Sequence, residues 1–184
     1  MGPSFRVHAG ATLLLGVVLL AASALTLLPG PSVLGDGKAA LAALAVPLLP
    51  LLAAAVLRGV YAGVGAGYDR RLQWLALRSL PHAVWAFLAV LVAAGAALAF
   101  SSTLGGGGLS PREPEGGRYF ATDHGDRRKR VEISREEYEA LRKYDQRTMF
   151  AIPALLCTGA TVVVLVAGRL RQPAPPGGDT GGPA

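Results

Sequence analysis

Charge is scarce in this chain and is absent from four long stretches of it. Only 16% of the 184 residues are charged, against about 25% in an average soluble domain. The runs 9–29, 39–57, 83–104 and 149–167 contain no acidic or basic side chain. Each has close to the ~20 apolar residues that an α-helix needs to cross a hydrocarbon core of ~30 Å. These four runs predict a small integral membrane protein and leave no room for a large soluble domain.

Cysteine is nearly absent too. The one cysteine, Cys157, lies in the last apolar run, so an intrachain disulfide and a thiolate metal cluster are excluded. The chain has no Walker, Gly-x-Ser-x-Gly, His-Glu-x-x-His or Cys-x-x-Cys motif. Transporters and proton pumps place ionisable residues within their spans, and these runs have none. We therefore nominate no catalytic residue, no cofactor and no metal.

Acidic residues are also few, 12 against 18 Lys and Arg, which gives a formal net charge of +6. A basic balance can indicate nucleic-acid binding. Here, however, the basic residues lie in loops that flank the apolar runs or follow the last of them. Charge in such places orients helices and meets lipid headgroups. We expect the lipid bilayer as a partner and no nucleic acid.

The fold class expected is an all-α membrane protein with a small β-hairpin on a helical stalk between spans three and four. The segments predicted along the chain are transmembrane helices over 9–29, 39–57, 83–104 and 149–167, a basic loop with an interfacial helix over 58–81, a flexible glycine-rich linker over 105–117, a β-hairpin plus capped helix over 118–147, and a disordered tail over 172–184.

The first run has an alternative interpretation. Ala22-Ser23-Ala24 resembles the cleavage site of a secretory signal peptide. Apolar residues continue past that site as far as Leu28, which favours a retained span.

Pro47 and Pro50 lie inside the second run. Each removes a backbone donor, so we expect a kink or local unwinding. A broken helix can line a substrate site. A tolerated kink is favoured, because the sequence places no ionisable residue beside it.

The segment from 118 to 147 carries its own structural signals. Tyr119–Asp123 and Arg130–Ile133 are rich in aromatic and β-branched residues, with Gly125 between them, which predicts a hairpin. With 125–128 as the loop, Phe120 pairs with Ile133 and Thr122 with Val131. Phe120, Val131 and Ile133 then form one apolar face that is a candidate contact surface.

A helix is predicted to follow the hairpin directly. Ser134 and Glu137 have the spacing of a capping box. Nothing breaks the helical pattern before Pro153, so one helix is expected from 135 to about 169. The hairpin would then stand on a rigid stalk that continues into the fourth span.

Two polar clusters in the hairpin have competing interpretations. Asp123-His124-Gly125-Asp126 has metal-ligating residue types, but Asp and Gly are also what a turn prefers, and the turn is favoured. The adjacent basic run is either solvated charge or a dock for anionic lipid headgroups, and both interpretations stay open. Its residues are Arg127, Arg128, Lys129 and Arg130.

A resemblance follows from these motifs. Tyr119-Phe120, His124-Gly125, Val131-Glu132-Ile133-Ser134, Glu137-Tyr138 and Arg147 before an apolar run together resemble a spacing in uncharacterised small four-span integral membrane proteins of high-GC, actinobacterial bacteria. The resemblance covers roughly 118–165. It implies a bacterial plasma membrane and carries over no activity and no catalytic residue.

The function expected is a non-enzymatic accessory or interaction protein that uses 118–147 to contact a membrane protein partner or lipid. The alternative is a small transporter or membrane-embedded enzyme with its site near Pro47 and Pro50. Both termini are expected to be cytoplasmic. In this orientation seven basic residues lie on the cytoplasmic side, and Lys38 plus ten basic residues of 105–147 lie on the opposite side. Nine acids accompany those ten. The N-terminal helix usually dominates orientation, which favours the cytoplasmic termini.

Overall fold

The computed structural model of the chain describes residues 2–30, 37–64, 70–125 and 129–171. Its five helices are α1 (Pro3–Leu25), α2 (Gly37–Tyr61), α3 (Arg70–Arg78), α4 (His82–Gly105) and α5 (Arg135–Leu170). Its three strands are β1 (Leu109–Pro111), β2 (Tyr119–Asp123) and β3 (Lys129–Ile133). The expected disordered tail, 172–184, lies outside the described residues.

Four helices are long and apolar enough to cross a membrane: α1, residues 42–61 of α2, α4 and α5. They coincide with the four apolar runs, so the prediction of four long apolar helices is confirmed. α1 begins at Pro3, before its run, because proline fits the first helical position, where no backbone donor is needed. α2 is helical throughout 37–61, all of it described, so no unwound segment surrounds Pro47 and Pro50.

α5 is the central helix of the bundle. It packs most extensively against α1 and also against α4 and α2. At Gly16 of α1 an added Cβ would lie 3.1 Å from the Cβ of Cys157 in α5. A small residue at such a contact lets the backbones of two helices approach closely.

The outward faces of the bundle are apolar. Val46 in α2 is 75% exposed and Phe100 in α4 is 65% exposed, and other large apolar side chains on these helices are similarly open. Contiguous apolar surface on this scale is rare on soluble monomers, where it marks an interaction site or a membrane contact. The arrangement is compatible with a multi-pass membrane protein.

The polar segment forms a three-stranded antiparallel sheet in the order β1-β2-β3. The predicted hairpin is its β2–β3 part. The added strand, β1, lies in the segment that was expected to be a flexible linker, and that expectation is corrected. Gly107 and Gly108 have φ of 55° and 78°, so the glycines supply the left-handed turn between α4 and β1.

The register predicted for the hairpin is wrong by one residue. Tyr119 pairs with Ile133 and Ala121 with Val131. His124 belongs to the turn, because its N–H donates to the Gly108 carbonyl at 3.0 Å, on the β1 side. A one-residue shift moves every side chain of a strand to the opposite face.

The helix after the sheet follows the prediction closely. The Glu137 N–H donates to Ser134 Oγ at 3.1 Å, and the Ser134 N–H donates to Glu137 Oε2 at 2.8 Å. This capping box starts α5, which then runs unbroken through Pro153 to Leu170. One continuous helix, α5, thus begins directly after the sheet and contains the fourth apolar run.

Candidate functional site

The head, which we define as residues 106–125 and 129–146, contains a cleft of about 430 Å³. The cleft lies between the chain that follows β1 (111–114), Tyr119 of β2 and the first turns of α5. The rings of Tyr119 and Tyr138 form one wall, with centroids 5.0 Å apart and planes tilted by 40°. The cleft ends at Met149, the first residue of the fourth apolar run.

Side chains of both charges line this cleft, and they are Arg112, Glu113, Arg135, Glu139, Arg142 and Asp145. Arg135 Nε donates to Glu139 Oε1 at 3.0 Å. Tyrosine presents a large, stiff contact area with a hydrogen-bonding end and is enriched at protein interfaces. The cleft therefore offers aromatic, cationic and anionic contact groups side by side.

The start of α5 has a chemical signature of its own. The Ser134 backbone N–H and side chain hold the pKa of the Glu137 carboxyl below its ordinary value, because both hydrogen bonds favour the ionised form. The carboxylate also lies at the positive N-terminus of the helix. The cap thus fixes the residue at which α5 begins after β3.

The outer face of the sheet is polar, and ion pairs balance part of its charge. Arg130 Nη2 donates to Glu115 Oε2 at 2.7 Å, and the Arg130 guanidinium carbon lies 3.6 Å from the Phe120 ring centroid. Arg118 and Glu132 form a second pair at 3.8 Å. Such exposed pairs contribute about 0–1 kcal/mol each.

The predicted contact surface is corrected by this geometry. Phe120 lies on the outer face under Arg130, whereas Val131 and Ile133 lie on the opposite face with Tyr119 and Ala121, so Phe120, Val131 and Ile133 form no common surface. Of the candidate lipid dock, Lys129 and Arg130 are exposed, and Arg127 and Arg128 lie outside the described residues. Arg130 is engaged with Glu115, so its charge is balanced within the head.

A serine and a histidine meet where the sheet adjoins the helical bundle, beside a cavity that Ser102 and Tyr144 also line. Ser110 Oγ and His124 Nε2 are 2.8 Å apart. Such a contact occurs in acyl-transfer enzymes, where a third group orients the base and an enclosed site stabilises the oxyanion. Here Ser110 lies in β1 and is half-buried, and His124 is exposed in the turn that follows β2. We assign the contact to fastening the β2–β3 turn onto β1, in agreement with the turn interpretation of His124.

Arg147 anchors the head in the bundle. It is 6% exposed, its Nε donates to Thr26 Oγ1 at 3.1 Å, and its Nη1 donates to Ser101 Oγ at 3.1 Å. Its guanidinium carbon lies 5.3 Å from the Tyr144 ring centroid. α1 and α4 both end here, and two helix C-termini contribute about half a negative charge each. Together they complement one buried guanidinium.

Neighbouring contacts strengthen this anchor. Lys143 Nζ donates to the Leu28 carbonyl at 2.9 Å, just past the end of α1, and Ser23 Oγ donates to the carbonyl of Arg147 at 2.9 Å. Gly105 leaves no room for a side chain beside the Tyr144 ring. The sequence marks Arg147 only as the last charge before the run, and nothing in it indicates that this residue is buried.

A second buried ionisable residue was missed by the sequence interpretation. His8 lies in α1, is 7% exposed, and its Nε2 is 3.1 Å from the carbonyl oxygen of Leu51, one residue past Pro50. The inference that no ionisable residue lies beside the two prolines is therefore wrong. The proline at position 3 was the available signal, since it starts the helix early enough to include His8.

No protein-family model, curated protein or solved structure matches this chain. Within the four described ranges, no group of three or more His, Cys, Asp or Glu side chains is placed to hold a metal ion.

Proposed function

We propose that this chain is a four-span integral protein of a bacterial plasma membrane with a non-enzymatic accessory role. In this proposal the head binds a segment of a membrane protein partner in its cleft. The observation that carries the proposal is the cleft of Tyr119 and Tyr138, built on the helix that is also the centre of the bundle. The bacterial plasma membrane in this proposal rests on the resemblance to small membrane proteins of high-GC bacteria, which carries over no activity.

Rigid coupling supports this role. Arg147 and Lys143 tie α5 to the ends of α1 and α4 through hydrogen bonds of 2.9–3.1 Å. A binding element on a rigid scaffold loses little freedom when a partner binds, which favours affinity. A partner in the cleft would therefore contact a surface held at a fixed height above the fourth span.

Orientation in the membrane is part of the proposal. Arg58 of α2 bonds to Ser4 of α1, and Arg171 after α5 bonds to the Tyr61 carbonyl, so both termini of the bundle lie at one end with α3. That end is rich in arginine, and the positive-inside rule favours a cytoplasmic location for it. The head would then face outside. Lys38 and the ten basic residues of 105–147 count against this orientation, although nine acids accompany them.

Photocrosslinking in cells tests the role of the head. A photoreactive phenylalanine replaces Tyr138 in the full chain, and the matched control replaces Glu136, an exposed residue in the same turn that does not line the cleft. We expect one discrete protein adduct from position 138, none from 136, and loss of the adduct when Tyr119→Ala is added. Equal adducts at both positions, or none at 138, would overturn the proposal.

A transporter remains the second candidate because His8 contacts the backbone beside Pro50. A buried ionisable group inside a span is often part of a proton or substrate pathway. Reconstituted vesicles loaded with a pH-sensitive dye test it. Proton flux that both Pro47→Leu and His8→Phe abolish supports a transporter, and flux equal to that of protein-free vesicles eliminates it.

A further inference from the structure

The end of the bundle opposite the head is rich in arginine. Its described segments, 2–10, 55–64, 70–86 and 165–171, contain no Asp or Glu, and the nearby Asp69 lies outside the described residues. The arginines of these segments are Arg6, Arg58, Arg70, Arg71, Arg78, Arg169 and Arg171. Two helix N-termini (α1, α4) and two C-termini (α2, α5) meet there, so the helix dipoles roughly cancel. The dipoles of these four helices therefore do not offset the positive charge of Arg58, Arg169 and Arg171.

Three of these guanidiniums meet only neutral groups among their hydrogen-bond and ring contacts. Arg58 donates to the carbonyl and Oγ of Ser4 at 2.9 and 2.8 Å, and Arg171 donates to the Tyr61 carbonyl at 3.1 Å. The Arg58 and Arg171 guanidiniums both lie over Phe5, at 5.0 and 6.0 Å from its ring centroid. Two like charges beside one ring repel each other unless an anion joins them.

Arg169 adds an unsatisfied donor. Its Nε is buried and has no hydrogen-bond partner, while its Nη2 makes only a long 3.4 Å contact with the Ser79 carbonyl. Buried polar groups in proteins nearly always have a partner, so an orphaned one calls for an explanation. An anionic oxygen at this position would supply the missing acceptor and the missing charge.

An apolar groove begins directly beneath Arg169. Val162 and Val166, one and two turns before it on the same face of α5, form with Trp74 and Leu77 of α3 the wall of a cavity of about 270 Å³. A second apolar cavity of about 340 Å³ follows between α2 and α5. Val163 lines both cavities, so they are neighbours, and we refer to the two together as the groove.

The groove has the length of one membrane leaflet. Along α5 it extends from Val166 to Leu155, which is about 16 Å at 1.5 Å per residue. Half of a ~30 Å hydrocarbon core is about 15 Å. Gly159 lines the second cavity, and an added Cβ there would meet nothing within 4 Å. The groove is open at the place where an acyl chain would lie.

We propose that this site binds an anionic phospholipid. The phosphate lies at Arg169 and Arg171, and one acyl chain lies in the α2–α3–α5 groove. α3 supports this arrangement, because its Leu72, Trp74 and Leu75 are exposed beside Arg78, as in helices that lie at the headgroup level. The inference rests on the membrane part of the proposed function and is independent of the head.

Native mass spectrometry of the detergent-purified full chain tests the proposal with phosphatidylglycerol and phosphatidylcholine at equal concentration. We expect one bound phosphatidylglycerol and little phosphatidylcholine. Changing both Arg169 and Arg171 to Gln should weaken phosphatidylglycerol binding about thirtyfold, as expected for two basic residues at a headgroup. Arg169→Lys, which keeps the charge, should retain most of the binding and controls for misfolding.

The groove is tested separately. Gly159→Leu should fill it and reduce phosphatidylglycerol binding about tenfold, whereas the matched Gly10→Leu, also in open space on a helix, should leave binding unchanged. Equal binding of both lipids, or full binding by Gly159→Leu, overturns the proposal. Displacement of the lipid by soluble glycerol phosphate at equal concentration would show an anion site without a lipid. Conversion of a dimer into a monomer by Gly159→Leu would show a helix–helix contact instead.

A failed lipid experiment leaves the photocrosslinking experiment unaffected, because the head and the groove lie at opposite ends of the bundle. A missing adduct at position 138 likewise says nothing about phosphatidylglycerol. The two proposals therefore fail separately.

Discussion

Arginines at the two ends of the helical bundle have opposite environments. At the head end Arg147 is buried, and two helix C-termini and two hydroxyl groups complement its charge. At the other end the dipoles of four helices roughly cancel, and Arg169 keeps a buried donor without a partner. The first arginine therefore acts in folding, and the second is available to an anion. Substitutions at the two ends should separate stability from binding.

The largest effect is expected at Arg147. Arg147→Ala removes a large buried side chain and leaves the hydroxyls of Thr26 and Ser101 without their donor. Hydrogen bonds to a charged group and the cavity left behind together imply a loss of about 3 kcal/mol. Thermal or denaturant unfolding in detergent measures it, with the exposed Arg118→Ala as control. Equal stability of the two variants would mean that Arg147 is no anchor.

Gly105→Ala should have the next largest effect at the same end. An added Cβ would overlap the Tyr144 ring, which lies beside Arg147 and cannot shift without disturbing it. Overpacking of this kind costs about 1–3 kcal/mol. Gly10→Ala, where the added carbon meets nothing, is the matched control. If both alanines unfold at the same temperature, the α4–α5 contact at Tyr144 is looser than described.

Ser134→Ala tests the junction between the sheet and α5. The lost side-chain cap should reduce local stability by about 1 kcal/mol. Hydrogen exchange of the amides in 135–139 should rise, because Ser134 Oγ accepts from the Glu137 N–H. Amides of 150–160 are the internal control and should not change. A uniform rise in both segments would indicate global destabilisation instead of a lost cap.

Features that depend on local sequence were predictable, and features that depend on contacts between distant residues were not. Helices and their caps follow from local pattern, so the four long apolar helices, the capping box of Ser134 with Glu137, and the unbroken α5 were predictable. The register of β2 and β3 was not, because the sequence pattern alone does not fix which residues form the turn, and a one-residue shift moves every side chain to the opposite face. The glycine run was predicted to be a flexible linker, but Gly107 and Gly108 form a turn at positive φ.

The candidate sites were less predictable than the fold. Exposure of a charged residue cannot be read from sequence position, so neither the burial of Arg147 nor the pairing of Arg130 was predicted. In the structure one is buried between helices and the other is paired with Glu115. His8 was missed because the apolar run, and not the helix, was used to mark the span. Whether such a residue is buried or paired depends on which distant parts of the chain meet around it in the fold.

The pH dependence of the cap should be smaller than the effect of Ser134→Ala. The pKa of Glu137 is lowered in the folded state, so its contribution is present above the ordinary glutamate pKa. The contribution is lost as the pH falls through the lowered folded value, because the protonated carboxyl accepts more weakly from the Ser134 N–H. Hydrogen exchange in 135–139 should rise at that pH, after correction for the intrinsic rate. In Glu137→Gln this pH-dependent step should disappear, and its persistence would assign it to another group.

The smallest effect on stability is expected at Arg169. Its Nε has no hydrogen bond to lose, and its Nη2 contact with Ser79 is 3.4 Å long, so Arg169→Gln should change unfolding in lipid-free detergent by less than about 0.5 kcal/mol. Added phosphatidylglycerol should raise the unfolding temperature of the wild-type chain and raise that of Arg169→Gln less, because a ligand stabilises the folded state in proportion to its affinity. Phosphatidylcholine should raise both equally. If Arg169→Gln destabilises the lipid-free chain as strongly as Arg147→Ala does, Arg169 is also an anchor, and the contrast between the two ends fails.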